Sequence, residues 1–508
     1  MKKKSLFATI NSITLLFISC TSISDRVGSV IGETTFVGEL EDVEITPVDL
    51  PNNLNSAFSA DLQELAAAPR YMLEISFDQD DDLYRVTGTE QVIYTNQEET
   101  PLEAIYFKLI PNMGGDYLAV ADLQVDAQAV EPQLEFENTV MRVDLPSPLD
   151  PNHSVEISMQ IDVVVPSQMG GNYGLFIYMD NVLALDAFFP IIPVYNDEGW
   201  NVEAPPQNAD VIFSDVAFFT VSIDAPQELV LVAGGHEVER SVNENRQLVT
   251  YHAGPQRDFY LAASPDFTSA SAIVDGVKVT SYFPEYARES GENVLETAQF
   301  ALQNYAERFG PYPYTELDLV STPMQAGGME YSNITALGLY LYDPEYTLSG
   351  GLPASVFLEG ATAHEVAHMW FYCQVMNDQI DHPWQDESLV QYATYLYYVD
   401  RYGEEDAQGF LQSFYDRWDR VDREPISISL PAPAYQGSEY GAIIYGRGAI
   451  MFDEMRATMG KDGFNQFLTA YVDKYRWQVV EPEDLLVLAE ETCECDLSDI
   501  YAAYGVAQ

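Results

Sequence analysis

The sequence predicts a multidomain α+β protein, an N-terminal antiparallel β-sandwich-like domain followed by a mainly α domain. Two observations carry this. Apolar residues recur every second position over roughly residues 65 to 265, with turn residues between the runs. Beyond about residue 285 the recurrence lengthens to 3.6, the spacing of a helix face. At 508 residues the chain is also too long for one ordinary core. Apolar side chains make up 47% of it and aromatic ones 12%, which is ample material for packed interiors.

The chain opens on Lys2, Lys3 and Lys4, then an apolar stretch from Leu6 to Ile18 that is short for a bilayer span. It ends in Phe17-Ile18-Ser19-Cys20, which resembles the lipobox of bacterial lipoproteins. That resemblance implies a signal peptide over 1–20 and a lipid on Cys20 that holds the protein to a membrane of the bacterial cell envelope. Residues 21–64 are acidic and polar without a sustained period, and read as a linker.

From residue 65 to 267 a β domain is expected. Tyr71, Leu73, Ile75 and Phe77 alternate with mostly polar neighbours. Val155, Ile157, Met159, Ile161 and Val163 repeat the pattern more cleanly, and Phe219, Val221 and Ile223 repeat it again. Asp80-Asp81-Asp82, Pro146 to Asn152, and Gly234-Gly235 supply the turns. Residues 268–508 form the second domain. Val294, Leu295, Ala298, Leu302, Tyr305 and Phe309 mark one helix face, stopped by Gly310. A short strand follows at Leu317 to Val320, then helical patterns near 356–373, 387–402, 405–419, 446–459, 462–475 and 482–491.

Charge narrows the partners. Eighty acidic against 23 basic residues give a formal net charge of −57, a surface that repels phosphate backbones and excludes nucleic acid. Such a surface attracts amine-bearing ligands and keeps a protein soluble. Besides Cys20 there are three cysteines, Cys373, Cys493 and Cys495, so no disulfide framework is implied. They can be one bridge, including one from Cys373 to either of the others, or plain thiols.

Chemistry concentrates at His364-Glu365-Val-Ala-His368. Residues four apart on a helix stand one turn apart on one face, so both imidazoles can address one ion while Glu365 reaches a water on it. In a chain with six histidines the motif would arise by chance in on the order of one chain in two hundred. Glu387 follows after eighteen residues and opens a second helical pattern through Leu389, Tyr392, Ala393 and Leu396. Two histidines, one glutamate and a water make a hydrolytic zinc site, one Zn2+ per chain. In that setting zinc activates the water and polarises a carbonyl, and Glu365 moves the proton as general base. His382, beside Pro383, reads as a loop residue and not as a fourth ligand.

With those residues in place the sequence resembles the aminopeptidase N family of zinc metallopeptidases. HExxH, eighteen residues and a glutamate within Trp384-Gln-Asp386-Glu387 match its ligand pattern. Gly327-Gly328-Met329-Glu330-Tyr331 is similar to its exopeptidase motif, with Tyr331 in place of the usual asparagine. Tyr445-Gly-Arg-Gly448-Ala is similar to the segment bearing its oxyanion-stabilising tyrosine, and Phe309 to Val320 resembles the run leading into the exopeptidase motif.

The resemblance implies a thermolysin-like catalytic domain and a zinc-dependent aminopeptidase acting on peptides with free N-termini. Glu330 would hold the substrate's α-amino group, Gly327, Gly328 and Met329 would lie along the peptide, and Tyr445 would stabilise the oxyanion, with Tyr440 as its close competitor. Family members often continue into a large helical domain that this sequence lacks, which implies a more open cleft. Two alternatives stand beside this expectation. One is a zinc endopeptidase on the same core, and the other is a surface lipoprotein that binds without catalysing.

Overall fold

Strand formation starts at Arg70. In the computed structural model, which describes residues 50–80, 83–203, 209–348, 351–421 and 427–506, strands β1 (Arg70–Asp80) and β2 (Leu83–Thr95) form an antiparallel pair. The alternation read from the sequence appears as burial: Tyr71, Leu73, Ile75 and Phe77 point into the core, as do the five alternating residues from Val155 to Val163. The remaining strands of this sheet are β3 (Leu118–Val125), β4 (Gln128–Ala129), β5 (Ser154–Val165), β6 (Ala217–Pro226), β7 (His236–Asn243) and β8 (Arg246–Gln256). Together they make an eight-stranded sheet in the order β7-β8-β6-β1-β2-β5-β3-β4.

One ladder departs from the antiparallel expectation. β1 and β6 run parallel, with Arg70 opposite Phe218. Side chains alternate with a period of two whichever way a neighbouring strand runs, so the pattern carries no direction. A parallel pair needs a long crossover, and the chain between β1 and β6 supplies one. That crossover holds a three-stranded sheet, a two-stranded one and half of a four-stranded one, including Phe176–Met179 and the fully buried strand Val182–Leu185; Phe189, just beyond, packs on Tyr71 and Phe219 of the large sheet.

A second, five-stranded sheet opens the C-terminal half: β9 (Phe267–Val274), β10 (Val277–Pro284), β11 (Glu316–Thr322), β12 (Gly328–Tyr331) and β13 (Ile334–Gly338), in the order β9-β10-β11-β13-β12. The sequence showed only β11. The others are short, or flanked by small polar residues such as Thr268, Ser269 and Ser271, and give no clean period. Helix α1 (Arg288–Phe309) connects β10 to the parallel β11 and buries Val294, Ala298, Leu302, Tyr305 and Phe309 against it. It ends at Gly310, whose φ of 114° suits glycine alone.

Helices α2 (Ala354–Ala367), α3 (Leu389–Tyr402), α4 (Glu404–Trp418), α5 (Ala449–Tyr475) and α6 (Pro482–Cys493) make up most of this half, with short helices at Glu439–Ala442 and Ser498–Tyr504. Three differences from the sequence reading matter. α2 stops at Ala367 rather than 373: the next turn tightens, with Met369 N–H on the Val366 carbonyl and Trp370 N–H on that of Ala367, and the chain then reverses at Tyr372, φ 142°, whose N–H bonds forward to the Val375 carbonyl. The two helices expected at 446–459 and 462–475 are continuous apart from a break at Gly460, φ 75°. Residues Trp384–Ser388 and Ile443–Gly448 are π turns that lead into α3 and α5.

The expected linker through residue 64 is corrected from residue 50 onward, where the chain packs on the body with Leu50, Phe58 and Leu62 buried. The signal peptide, Cys20 and the rest of the linker to residue 49 lie outside the described residues. Cys493 pairs with Cys495, and Cys373 is a free, buried thiol, so no bridge from Cys373 forms.

Candidate metal centre

α2 presents His364 and His368 one turn apart, and the π turn before α3 presents Glu387 opposite them. His364 Nε2 lies 3.0 Å from Glu387 Oε2, His368 Nε2 lies 3.7 Å from the same oxygen, and the two Nε2 atoms are 3.3 Å apart. Atoms bound about 2 Å from one tetrahedral ion sit roughly 3.3 Å from each other, so this triad has the dimensions of a zinc ligand set. The outer nitrogens are also held. His368 Nδ1 is 3.0 Å from the Phe371 carbonyl, which fixes Nδ1 as the donor and leaves the Nε2 lone pair facing inward, and His364 Nδ1 lies 3.4 Å from the Thr394 hydroxyl.

The electrostatics agree. Burial alone would push Glu387 upward, but hydrogen bonds and charge from both histidines outweigh it and hold the carboxyl well below the usual range. Burial would lower His368 too, yet Glu387 raises it to about 9. A buried carboxylate that draws a proton onto a facing imidazole is a site built to hold positive charge, and the three donors suit Zn2+ in both kind and spacing.

Around the triad stand further carboxylates. Glu365 is 5% exposed, and its Oε2 has no hydrogen-bond partner. Burial, then the charge of Glu330, raises its proton affinity well above the ordinary value. Glu330 projects from β12, the edge strand, and its ligand oxygen, one of Glu365 and a His368 nitrogen all lie within 4.8 Å of one another. Gln379 Nε2 donates to Glu330 Oε1 at 3.2 Å and to Asp386 Oδ2 at 3.0 Å, tying the two acids together. Burial and the charge of Glu387 raise Asp386 to about 7.

The glycine-rich approach is close-fitting. A Cβ on Gly328 would fall 2.4 Å from Glu365 Oε1, and one on Gly327 would fall 2.6 Å from the Phe357 ring. Met329 beside them is buried. Tyr445 donates its hydroxyl to Glu387 Oε1, so it stands at the triad. Tyr440, the competing tyrosine, has its ring 6.0 Å from that of Tyr445, and its hydroxyl is buried without a partner. His382 lies in the connecting loop, where its carbonyl accepts from Asn377, and takes no part in the triad.

Three participants escaped the sequence reading: Gln379, Asp386 as more than context for Glu387, and Asp210. Asp210 comes from the β half, is 7% exposed, and raises the proton affinity of Glu330 more than any other neighbouring charge. Asp386 was visible within Trp384-Gln-Asp-Glu; the other two belong to no spaced motif.

Comparison with known proteins agrees with this geometry. Residues 293–504 match the peptidase family M1 domain. The chain is 26% identical over 303 residues to aminopeptidase M1-B of Oryza sativa subsp. japonica, covering 58% of this chain and 34% of that protein. It is 26% identical over 299 residues to aminopeptidase M1 of Arabidopsis thaliana, covering 54% and 32%. It thus spans about a third of the length of the curated relatives it matches. Its fold is that of a mutant M1 zinc metallopeptidase from Deinococcus radiodurans, with a TM-score of 0.63 at 18% identity over 87% of this chain and 95% of that one. The same enzyme bound to a Tyr-Ser-Ala substrate gives a TM-score of 0.62 at 18% identity, over 87% and 94%. The triad and Glu330 lie within the stretch that matches the peptidase family M1 domain, and these similarities support a relationship to the aminopeptidase N family.

Proposed function

We propose that this chain is a zinc-dependent aminopeptidase that removes the N-terminal residue of peptides. The observation that carries the reading is the placement of Glu330 within 4.8 Å of Glu365 and His368, ligand atom to ligand atom. A carboxylate that close to the catalytic acid–base group leaves room for one residue between an anchored α-ammonium and the scissile bond. An internal stretch of peptide would press uncharged amide against a buried carboxylate, which is unfavourable. The substrate-bound Deinococcus radiodurans enzyme, and a two-domain form of an M1 metallopeptidase bound to L-arginine, support a ligand with a free amino group.

His364, His368 and Glu387 would hold the zinc, which when bound supplies Lewis acidity to a water and to the substrate carbonyl. Glu365 removes the water's proton, and its raised proton affinity suits it to keep that proton until the leaving nitrogen takes it. Tyr445 turns its hydroxyl from Glu387 Oε1 to the developing oxyanion. Glu330, aligned by Gln379, holds the α-ammonium. We further infer export and attachment to the cell envelope through a lipid on Cys20, supported by the lipobox-like run alone; mass spectrometry of the mature N-terminus tests it, and an unmodified cysteine there overturns it.

The deciding measurement is hydrolysis of aminoacyl chromogenic and N-blocked peptide substrates by wild type, Glu365→Gln and Glu330→Ala. Glu365→Gln should lose about 10²- to 10⁴-fold in kcat with zinc retained; undiminished turnover sinks the mechanism. Glu330→Ala should raise KM for free-amine substrates steeply. Full activity of Glu330→Ala, extending to N-blocked peptides, would instead identify an endopeptidase.

A further inference from the structure

The loop that leaves β8 ends against both halves of the site. Asp258, 2% exposed, accepts the Tyr372 hydroxyl on Oδ2 at 2.6 Å. It also accepts the Ser332 backbone N–H on both oxygens at 3.2 Å and the Ser332 hydroxyl at 3.2 Å. All of these contacts come from donors, the set an ionised carboxylate satisfies and a neutral amide does not. Its neighbours reinforce the grip: Arg257 N–H donates to Ser332 Oγ at 3.0 Å, and Tyr260 stacks on Tyr331 with ring centres 3.9 Å apart.

Each partner of Asp258 leads to a functional side chain. Tyr372 sits at φ 142°, a conformation that a residue with a bulky side chain adopts only under restraint. Its backbone N–H is tied to the Val375 carbonyl at 2.9 Å, and its side chain is tied to Asp258. The carbonyl of the preceding residue, Phe371, is the acceptor that orients His368 Nδ1. Ser332 opens the two-residue turn between β12 and β13, two positions after Glu330. One buried carboxylate therefore restrains the segment that aims a metal ligand and the hairpin that carries the candidate ammonium anchor.

We propose that Asp258 is a positioning residue that fixes His368 through Tyr372 and Glu330 through Ser332. The second half of this statement rests on the aminopeptidase reading; the first half does not.

Asp258→Asn and Tyr372→Phe test it, with three readouts: zinc release to a chromogenic chelator, the separate kcat and KM for an aminoacyl substrate, and the thermal midpoint. Asparagine removes the charge and leaves one acceptor oxygen for three donors, so both arms weaken, whereas Tyr372→Phe cuts only the arm to His368. Zinc should leave both variants roughly 10- to 100-fold faster than wild type. KM should rise at least about fivefold in Asp258→Asn and stay within about twofold in Tyr372→Phe, the contrast expected of two separate arms. Wild-type zinc release in both variants, even with a lowered thermal midpoint, would reduce Asp258 to a structural role and overturn the proposal. So would equal KM changes in the two. If Asp258→Asn fails to fold, zinc release from Tyr372→Phe decides the first arm. Zinc content and turnover of the wild type are measured first. A chain that holds zinc but hydrolyses no peptide refutes the aminopeptidase reading and leaves the release comparison intact.

Discussion

Gly328 shows how finely single residues set this site. Its missing Cβ is where Glu365 Oε1 would be met at 2.4 Å and the Glu365 Cδ at 2.6 Å. The obstacle is the end of a flexible side chain and not backbone, so Gly328→Ala should fold and push the carboxylate aside. Displacing a catalytic group by about 1 Å costs on the order of 10²-fold in rate. We expect kcat to fall by about that factor while zinc content and thermal midpoint stay near wild type; steady-state kinetics beside metal analysis checks it, and an unchanged kcat would mean that Glu365 does not act from this position. At this scale the sequence was most informative where chemistry imposes spacing. His364 and His368 were legible because a helix turn relates them, and Glu387 because it follows at a ligand-compatible distance. Gln379 and Asp210 were not, since each reaches the site from a separate loop and one polar residue on an acidic chain has no signature.

At the scale of elements the centre hangs on two π turns that face each other, Trp384–Ser388 and Ile443–Gly448. The first places Glu387 and the second Tyr445. The helical patterns at 387–402 and 446–459 begin inside these turns and do not show them, because one extra residue in a turn leaves composition and apolar spacing almost unchanged. The turns are fastened by Ser388 Oγ, which donates to the Ile444 carbonyl at 2.6 Å, and the contact is possible because Gly448 has no side chain: a Cβ there would lie 2.0 Å from Ser388 Oγ. Gly448→Ala should therefore cost about 1–3 kcal/mol by overpacking and disturb the neighbouring Glu387, which speeds zinc release. Ser388→Ala alone should cost about 1 kcal/mol, the lost hydrogen bond. The double variant should regain only part of the Gly448→Ala loss, because the 2.0 Å clash with Oγ is relieved while Ser388 Cβ stays 2.7 Å away. Urea unfolding of the four proteins measures this cycle, and strict additivity would show that the two turns are not coupled through this contact.

Over the whole molecule the surprise is residues 50–64, which bind the β half to the catalytic half. The Asn53 N–H donates to Gly254 of β8 at 3.3 Å, and its carbonyl accepts from Thr315 at 3.0 Å. Phe58 is buried beneath the Arg476 guanidinium, 5.0 Å above its ring, and Asp61 Oδ2 accepts from Trp477 Nε1 at 2.9 Å and Arg476 Nη1 at 3.3 Å. A segment this polar reads as a linker because Leu50, Phe58 and Leu62 are too widely and unevenly spaced to show a period, while its grip comes from backbone and side-chain hydrogen bonds that hydropathy does not register. The β half and the helical half, by contrast, announce themselves by period because each buries whole faces. The packed strap makes a prediction that a free linker would not. Phe58→Ala should cost roughly 3 kcal/mol from lost burial and the cavity left behind. Asp61→Ala should cost about 1–2 kcal/mol by leaving Trp477 Nε1 and Arg476 short of an acceptor. Neither residue touches the metal centre, so kcat at low temperature should hold while the urea midpoint and thermal midpoint drop together. If both midpoints stay at the wild-type values, residues 50–64 do not fasten the two halves in solution.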